Sequence, residues 1–242
     1  MVTTAGIILI GNEILSGKVV DANAAYLCRQ FRALGVDVRR ISVIPDEVDL
    51  IAREVEEFHR SYDWVFTSGG VGPTHDDVTI EGVARGLGSR VVRHPHLVAR
   101  LEEHYGGRVN EARLKMAEVP EGAELLAADA LIVPVVMLKN VFVFPGVPEI
   151  FRQKFEAIKE RFRDRPFLLR SVYFRVGEGT LAEHLNAMLR RFPALLCGSY
   201  PELSNPEYKV RVTLESKESD YLEDALRDLL GRLPPEAVVR VQ

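Results

Sequence analysis

The order of apolar and polar segments in this 242-residue chain predicts an α/β fold. The expected form is a three-layer, mostly parallel sheet covered by helices on both faces, followed by a small α+β module. Three observations carry the prediction. Strand-like and helix-like stretches alternate β-α-β-α-β-α over the first ninety residues, as a parallel sheet with right-handed crossovers requires. The first strand, Ala5-Gly6-Ile7-Ile8-Leu9-Ile10, is apolar throughout rather than at every second position, which suits burial on both faces. Beyond a charged break at Arg163-Asp164-Arg165-Pro166, the order becomes β-α-β-β-α-β, the split pattern of ferredoxin-like modules. The expected domains are therefore 1–165 and 166–242.

The first strand runs into the polar loop Gly11 to Lys18, and a helix begins at about Asp21. Ala24, Leu27, Phe31 and Leu34 form its apolar stripe and Gly35 ends it. Val36 to Val43 reads as the second strand. Pro45-Asp46 opens a helix with Val48, Ile51, Val55 and Phe58 on one face. Asp63-Trp64-Val65-Phe66 is the third strand, followed by a glycine-rich turn and a helix with Ile80, Val83, Ala84 and Leu87 at helical spacing and Thr79 as its expected cap.

The middle of the chain is less regular. Val91-Val92 is a short strand, Pro95 to Tyr105 a helix, and Asn110 to Ala117 a second helix. Leu131 to Leu138 and Val141 to Phe144 form a hairpin joined at Lys139-Asn140, with Pro134 inside the first strand pointing to an edge position. Phe144-Pro145-Gly146-Val147-Pro148-Glu149 is another strand-to-helix turn. In the second module the expected order is strand 168–176, helix 181–191, strands 195–200 and 208–215, helix 221–230 and strand 238–241. Nothing in that module has catalytic spacing, so a structural or oligomerising role is expected.

Composition narrows the function classes. The chain is 47% hydrophobic and 27% charged with net charge −4, which argues against a nucleic-acid binder held by a basic face. Two cysteines, Cys28 and Cys197, make no disulfide framework and suggest a reducing compartment. The start Met1-Val2-Thr3-Thr4 has no basic region, and no apolar run approaches the ~20 residues that span a bilayer, so a cytoplasmic protein without membrane contact is expected.

Candidate chemistry concentrates in Thr67-Ser68-Gly69-Gly70-Val71-Gly72-Pro73-Thr74-His75-Asp76-Asp77-Val78-Thr79. Glycines let a ligand approach the backbone, and a helix N-terminus offers free amides to an anion. Asp76 and Asp77 oppose a phosphate there. Each such pair repels by on the order of 4 kcal/mol at ~4 Å in a dielectric near 20. A divalent cation removes the conflict by taking carboxylate and phosphate oxygens together. The turn therefore reads as a phosphate-plus-metal site, the alternative being a tight turn with solvated aspartates. Asp76 and Asp77 would hold the metal, the amides of Gly69, Gly70, Gly72 and Thr79 would receive phosphate, and Lys115 would neutralise charge. Glu13, Ser16 and Asp21, also at a strand's carboxyl end, are candidate polar ligands or bases, with a capped loop as the alternative. Both loops should converge on one cleft. Arg113 and Lys115 on the expected helix are either phosphate partners or an exposed basic face. His94 and His96, two apart at a helix start, more commonly face solvent than hold a metal.

Gly11-Asn12-Glu13-Ile14-Leu15-Ser16-Gly17, Asp21-Ala22-Asn23 and Gly69 to Thr79 resemble the molybdopterin-binding domain family. That family includes molybdenum-cofactor biosynthesis proteins, the N-terminal domain of CinA-type proteins and that of eukaryotic FAD synthase. The resemblance continues through Lys115-Met116-Ala117, Pro120 and Phe142 to Glu149, then Gly198-Ser199-Tyr200-Pro201 and Tyr208 to Ser216. His75 and Val135 to Val141 look like the FAD-synthase branch. Leu131-Ile132-Val133 stands where CinA-type proteins usually carry Gly-Thr-Ala-Pro. The synthase's sulfate-reductase-like domain and CinA's amidohydrolase domain are not in these residues, so neither FAD synthesis nor nicotinamide-nucleotide deamidation is expected of them.

The resemblance implies one of two chemistries at an adenylate-linked phosphorus beside a metal. One is metal-dependent hydrolysis of dinucleotide pyrophosphates such as FAD or ADP-ribose, with magnesium, manganese or cobalt. The other is molybdopterin binding with adenylyl transfer; a non-catalytic nucleotide- or pterin-binding module is a third possibility. Asp76, Asp77 and Glu13 would be catalytic, Asp76 and Asp77 the metal ligands. Gly11, Ser16, Gly17, Asp21, Ser68, Gly69, Gly70, Gly72, Thr79, Lys115, Pro145 and Gly146 would contact the nucleotide or pterin phosphate. The family also implies a homo-oligomer, dimeric or trimeric.

Overall fold

A computed structural model describes residues 2–127, 131 and 133–242. The chain divides into two compact units, residues 1–164 and 165–242. In the first, β1 (Thr4–Ile10), β2 (Asp37–Ile44) and β3 (Trp64–Ser68) alternate with α2 (Asn23–Leu34) and α3 (Val48–Ser61), and α4 (Thr79–Gly86) follows β3. The polar loop after β1 holds a single helical turn, α1 (Asn12–Leu15). Next come β4 (Val91–Arg93), α5 (Pro95–Tyr105), α6 (Glu111–Lys115), β5 (Glu118–Pro120), β6 (Glu124–Leu126), β7 (Val135–Leu138), β8 (Val141–Phe144) and α7 (Pro148–Ile158).

Among the described residues, six strands form one sheet in the order β2-β1-β3-β8-β7-β6, parallel from β2 to β8. β7 and β6 join it antiparallel. The reason for three layers is visible along β1. Ile7 and Leu9 pack with Leu27 and Phe31 of α2 and Phe151 and Phe155 of α7. Ile8 and Ile10 pack with Ile51, Val55 and Phe58 of α3 and Val83 of α4. Each parity of the strand thus serves its own core, and burying one such side chain contributes about 1.5–3 kcal/mol.

Three expectations about the middle of the chain are corrected. The first hairpin strand begins at Val135, so Pro134 precedes it rather than lying inside it; Ile132 lies outside the described residues. β7 is also no edge, because β6 pairs with its outer side, Leu125 opposite Val136. The Lys139-Asn140 turn does close β7 onto β8, with Lys139 at φ 55° and Asn140 Nδ2 donating to the Tyr62 carbonyl at 2.8 Å. α6 is shorter than the segment 110–117, since the Asn110 side chain caps it by accepting from the Arg113 amide at 2.9 Å. β5 pairs with β4 as a separate two-stranded ribbon.

The second unit contains β9 (Leu168–Phe174), α8 (Glu178–Arg191), β10 (Leu196–Pro201), β11 (Val210–Ser216), α9 (Ser219–Leu230) and β12 (Val238–Val241). Its sheet order is β10-β11-β9-β12, antiparallel throughout. Val172, Val212 and Leu214 face Leu181, Leu185, Leu222 and Leu226 of the two helices. A small antiparallel α+β unit thus follows the mostly parallel sheet. Among the described residues no helix is long and apolar enough to cross a membrane.

Candidate functional site

A cleft of about 1170 Å³ opens at the carboxyl ends of β3 and β8 and receives the loop after β1. Glu13, Gly69, Gly70, Gly72, Asp77, Lys115, Pro145 and Gly146 line it. The two loops expected to converge therefore do so.

The turn after β3 is held by contacts that only glycine permits. Gly69 has φ +109°, and a β-carbon there would lie 2.0 Å from the Ile10 carbonyl oxygen. At Gly70, with φ +62°, a β-carbon would lie 2.4 Å from Thr79 Oγ1. Thr79 is the first residue of α4 and fully buried; its hydroxyl donates to the Gly69 carbonyl at 2.8 Å and its amide to the Gly70 carbonyl at 3.0 Å. It closes the turn rather than capping the helix. The Gly69 amide likewise donates to the Phe144 carbonyl at 3.1 Å. These two amides, expected to receive phosphate, are committed to the fold. Those of Gly70, Val71 and Gly72 find no acceptor among the described residues.

The two aspartates part company. Asp77 lines the cleft, and its Oδ2 accepts from the Thr74 amide at 2.8 Å and the Thr74 hydroxyl at 2.5 Å. Gly72 leaves room for it, since a β-carbon there would sit 2.7 Å from Asp77 Oδ2. Asp76 is not part of the lining and its side chain is 60% exposed. The nearby Thr74 side chain, then the Asp76 backbone amide, hold this carboxyl below the usual range, with His75 and Lys115 adding to the effect, although the one proton of the Thr74 hydroxyl is directed at Asp77. The Lys115 ammonium donates to the Thr74 carbonyl, so the cation braces the loop that carries both acids.

Glu13 reaches the cleft from α1, folded back over Gly11, where a β-carbon would meet its Oε1 at 2.5 Å. Ser16, Gly17 and Asp21 do not line the cleft. The Ser16 hydroxyl donates to the Glu13 carbonyl at 3.3 Å. Both Asp21 oxygens accept from the first amides of α2, Asn23 at 3.1 Å and Ala24 at 2.9 Å, so this carboxylate serves a helix start. The Ser68 hydroxyl is buried below the glycines and accepts from Asn23 Nδ2 at 3.0 Å.

Sequence reasoning missed Asn23 and Asp46 beside these loops. Asn23, 3% exposed, donates through the same Nδ2 to the Gly146 carbonyl at 2.8 Å, joining the loops after β3 and β8. Asp46 follows β2 and accepts the Asn12 amide at 2.8 Å, with its Oδ1 3.4 Å from where a β-carbon on Gly70 would lie. Its position just past a strand's carboxyl end, like those of Glu13 and Asp77, is the signal that could have found it.

Among the described residues no three His, Cys, Asp or Glu side chains gather as a metal set. The donors present still fit one kind of ion. Magnesium is usually held by one or two carboxylates together with substrate phosphates and water, not by a protein cage, and Asp77 and Glu13 on one cleft offer that set.

Residues 6–168 match the family profile described as "Probable molybdopterin binding domain", and residues 166–242 match "FAD synthase, middle domain". The chain belongs to the molybdopterin-binding domain family. Within this family, a protein of Archaeoglobus fulgidus is 36% identical over 221 residues, covering 91% of this chain and 94% of its own length. The "Probable FAD synthase" of Caenorhabditis elegans is 34% identical over 259 residues, covering 94% of this chain and 50% of its own. The chain thus spans about half the length of that relative. The structure of "the protein CinA with unknown function" from Thermoplasma acidophilum superposes with a TM-score of 0.61 at 31% identity, over 67% of this chain and all of that one. A molybdopterin-binding domain joined to the middle domain of FAD synthase is the organisation that these matches give the chain.

Proposed function

We propose that the first unit is a metal-dependent hydrolase of dinucleotide pyrophosphates of the FAD or ADP-ribose type. The observation that carries this reading is the turn in which Asp77 and the unpaired amides of Gly70 and Gly72 face one cleft. The amides suit phosphate oxygens and the carboxylate suits a cation, and neither alone explains the other. The cleft, about 1170 Å³, exceeds the 300–1,000 Å³ common for drug-sized ligands, which suits an extended dinucleotide. A bound divalent ion, magnesium, manganese or cobalt, would polarise the scissile phosphate. Asp77 and Glu13 would hold that ion, Glu13 would also take a proton from attacking water, and Lys115 would steady the Thr74 loop. Asp76, turned away from the lining, would contribute charge from outside. FAD is favoured among candidates by the relatives named as FAD synthases.

The second reading is binding of a pterin phosphate with adenylyl transfer, favoured by the match of residues 6–168. Screening FAD, ADP-ribose and related dinucleotides with each metal separates the two. Turnover supports hydrolysis. Tight pterin binding without turnover supports the second reading, and nucleotide binding without turnover under any metal points to a non-catalytic module.

Assembly belongs to the same proposal. β2 forms one edge of the six-stranded sheet, and its Ile41 and Val43 remain 46% and 39% exposed. A dimer or trimer would cover them, and light scattering that finds only a 27.1 kDa particle at all concentrations would reject it. The cytoplasmic location proposed here is supported by the free state of Cys28 and Cys197.

A further inference from the structure

Lys154 on α7 is 7% exposed, yet it lines the cleft beside Pro134, Val147 and Ile150. Its ammonium donates to the Pro134 carbonyl at 3.0 Å. An ammonium has three donors, and this accounts for one. Among the described residues no carboxylate pairs with it; burial alone pushes its pKa down, to about 8. Among the described residues, Lys115 likewise meets only a carbonyl, that of Thr74, but it is less buried, and the cleft's arginines are paired with carboxylates. Arg85 is bound to Asp49 and Glu81, and Arg90 is bound to both oxygens of Glu121. A buried charge left without a partner is costly, and the cost falls if the cleft's occupant supplies the missing acceptor.

The surroundings indicate which acceptor. Pro134, whose carbonyl Lys154 meets, and Val147 and Ile150 at the start of α7 make this part of the wall apolar. A phosphate there would lose its hydration against a wall with one donor, whereas the amides of Gly70 and Gly72 offer it a polar seat elsewhere in the same cleft. A flat, uncharged ring loses little on meeting an apolar wall, and a ring carbonyl asks for one donor.

We propose that Lys154 selects ligands carrying a carbonyl-bearing heteroaromatic ring, its ammonium donating to the carbonyl while the apolar wall packs against the ring face. This rests on the dinucleotide reading above and assigns the half of the ligand that carries the ring. ADP-ribose, which has adenine and no ring carbonyl, would gain nothing from Lys154.

The test uses the full chain and two probes, lumiflavin, a carbonyl-bearing ring without phosphate, and ADP-ribose with magnesium. A hydrogen bond to a charged group is strong enough that Lys154→Met should weaken lumiflavin by about tenfold or more while ADP-ribose changes less than about twofold. Lys154→Gln, which keeps a donor, should recover part of the loss. A thermal melt at or above that of the parent establishes that the Met variant is folded. Where FAD is turned over, its KM should rise in the Met variant with kcat kept. The proposal is overturned if the parent does not bind lumiflavin, if the Met variant binds it as the parent does, or if both probes weaken equally. Selective loss of lumiflavin in a protein that hydrolyses nothing would keep this inference and remove the hydrolase reading.

Discussion

The buried hydroxyl of Thr79 donates to the Gly69 carbonyl at 2.8 Å, tying the first residue of α4 to the first glycine of the turn. Thr79→Val preserves the shape and removes that donor, leaving a buried carbonyl short of a partner. The expected cost is about 1–3 kcal/mol, read from urea unfolding, with Thr79→Ser recovering most of it. Parent-like stability in the Val variant would show that the turn is held by other contacts.

A larger effect is expected at Gly69. Alanine there faces both a φ of +109° and a β-carbon 2.0 Å from the Ile10 oxygen, a backbone atom at the end of β1 that cannot swing aside. Gly69→Ala should cost more than ~2 kcal/mol and weaken nucleotide binding, because relief requires moving the turn itself. Calorimetric melting and ADP-ribose titration report the two effects; alanine tolerated in both would contradict the geometry.

Asp77→Asn separates charge from shape. Asparagine can still accept from Thr74 through its carbonyl oxygen, so stability should change by less than ~1 kcal/mol. Metal-dependent turnover of FAD or ADP-ribose should fall by roughly 10²-fold or more, since each 1.36 kcal/mol lost from the transition state is about tenfold in rate. Turnover at the parent rate would remove Asp77 from the site.

Lys154 gives stability a pH dependence of known sign. Its folded pKa, about 8, lies below the ordinary 10.5, so between these values the unfolded chain binds the extra proton. The cost of the buried charge is therefore full below about pH 8 and disappears as pH rises toward 10.5. Relative to Lys154→Met, the parent should gain roughly 3 kcal/mol across that window. Denaturation of both proteins at several pH values checks it, and a flat difference would place the amine in a more polar setting than its burial implies.

How much of this was legible in the sequence follows from the range of the interactions involved. β1 announced itself because Ile7, Ile8, Leu9 and Ile10 are apolar in both parities, and the Lys139-Asn140 hairpin because its signal is contiguous. β6 was not seen, since three residues, Glu124–Leu126, are too few for a period to register. At the site, the glycine turn, Glu13 and Lys115 could be placed on the cleft from motif and strand ends alone. That the Gly69 and Thr79 amides are already spent depends on Phe144 and Gly70 carbonyls that no local pattern reveals. Asn23 and Lys154 were hidden for the same reason: their partners, Gly146 and Pro134, lie 123 and 20 residues away.

The pairing of each strand parity with its own core also bears on how the sheet finds its alignment. In β8, Phe142 and Phe144 join Phe66, Phe31 and Phe155 on one side, while Val141 and Val143 join Val65 and Val55 on the other. Sliding β8 by one residue would exchange the two sets without turning either toward water, so water does not police the error as it would in a sheet with one wet face. Bulk has to do it instead: phenylalanine rings do not fit spaces shaped for valine, and valines leave the aromatic side hollow. Trading the phenylalanines for leucines would then blur the alignment, giving a chain that stays collapsed but samples shifted pairings before it loses much of its stability.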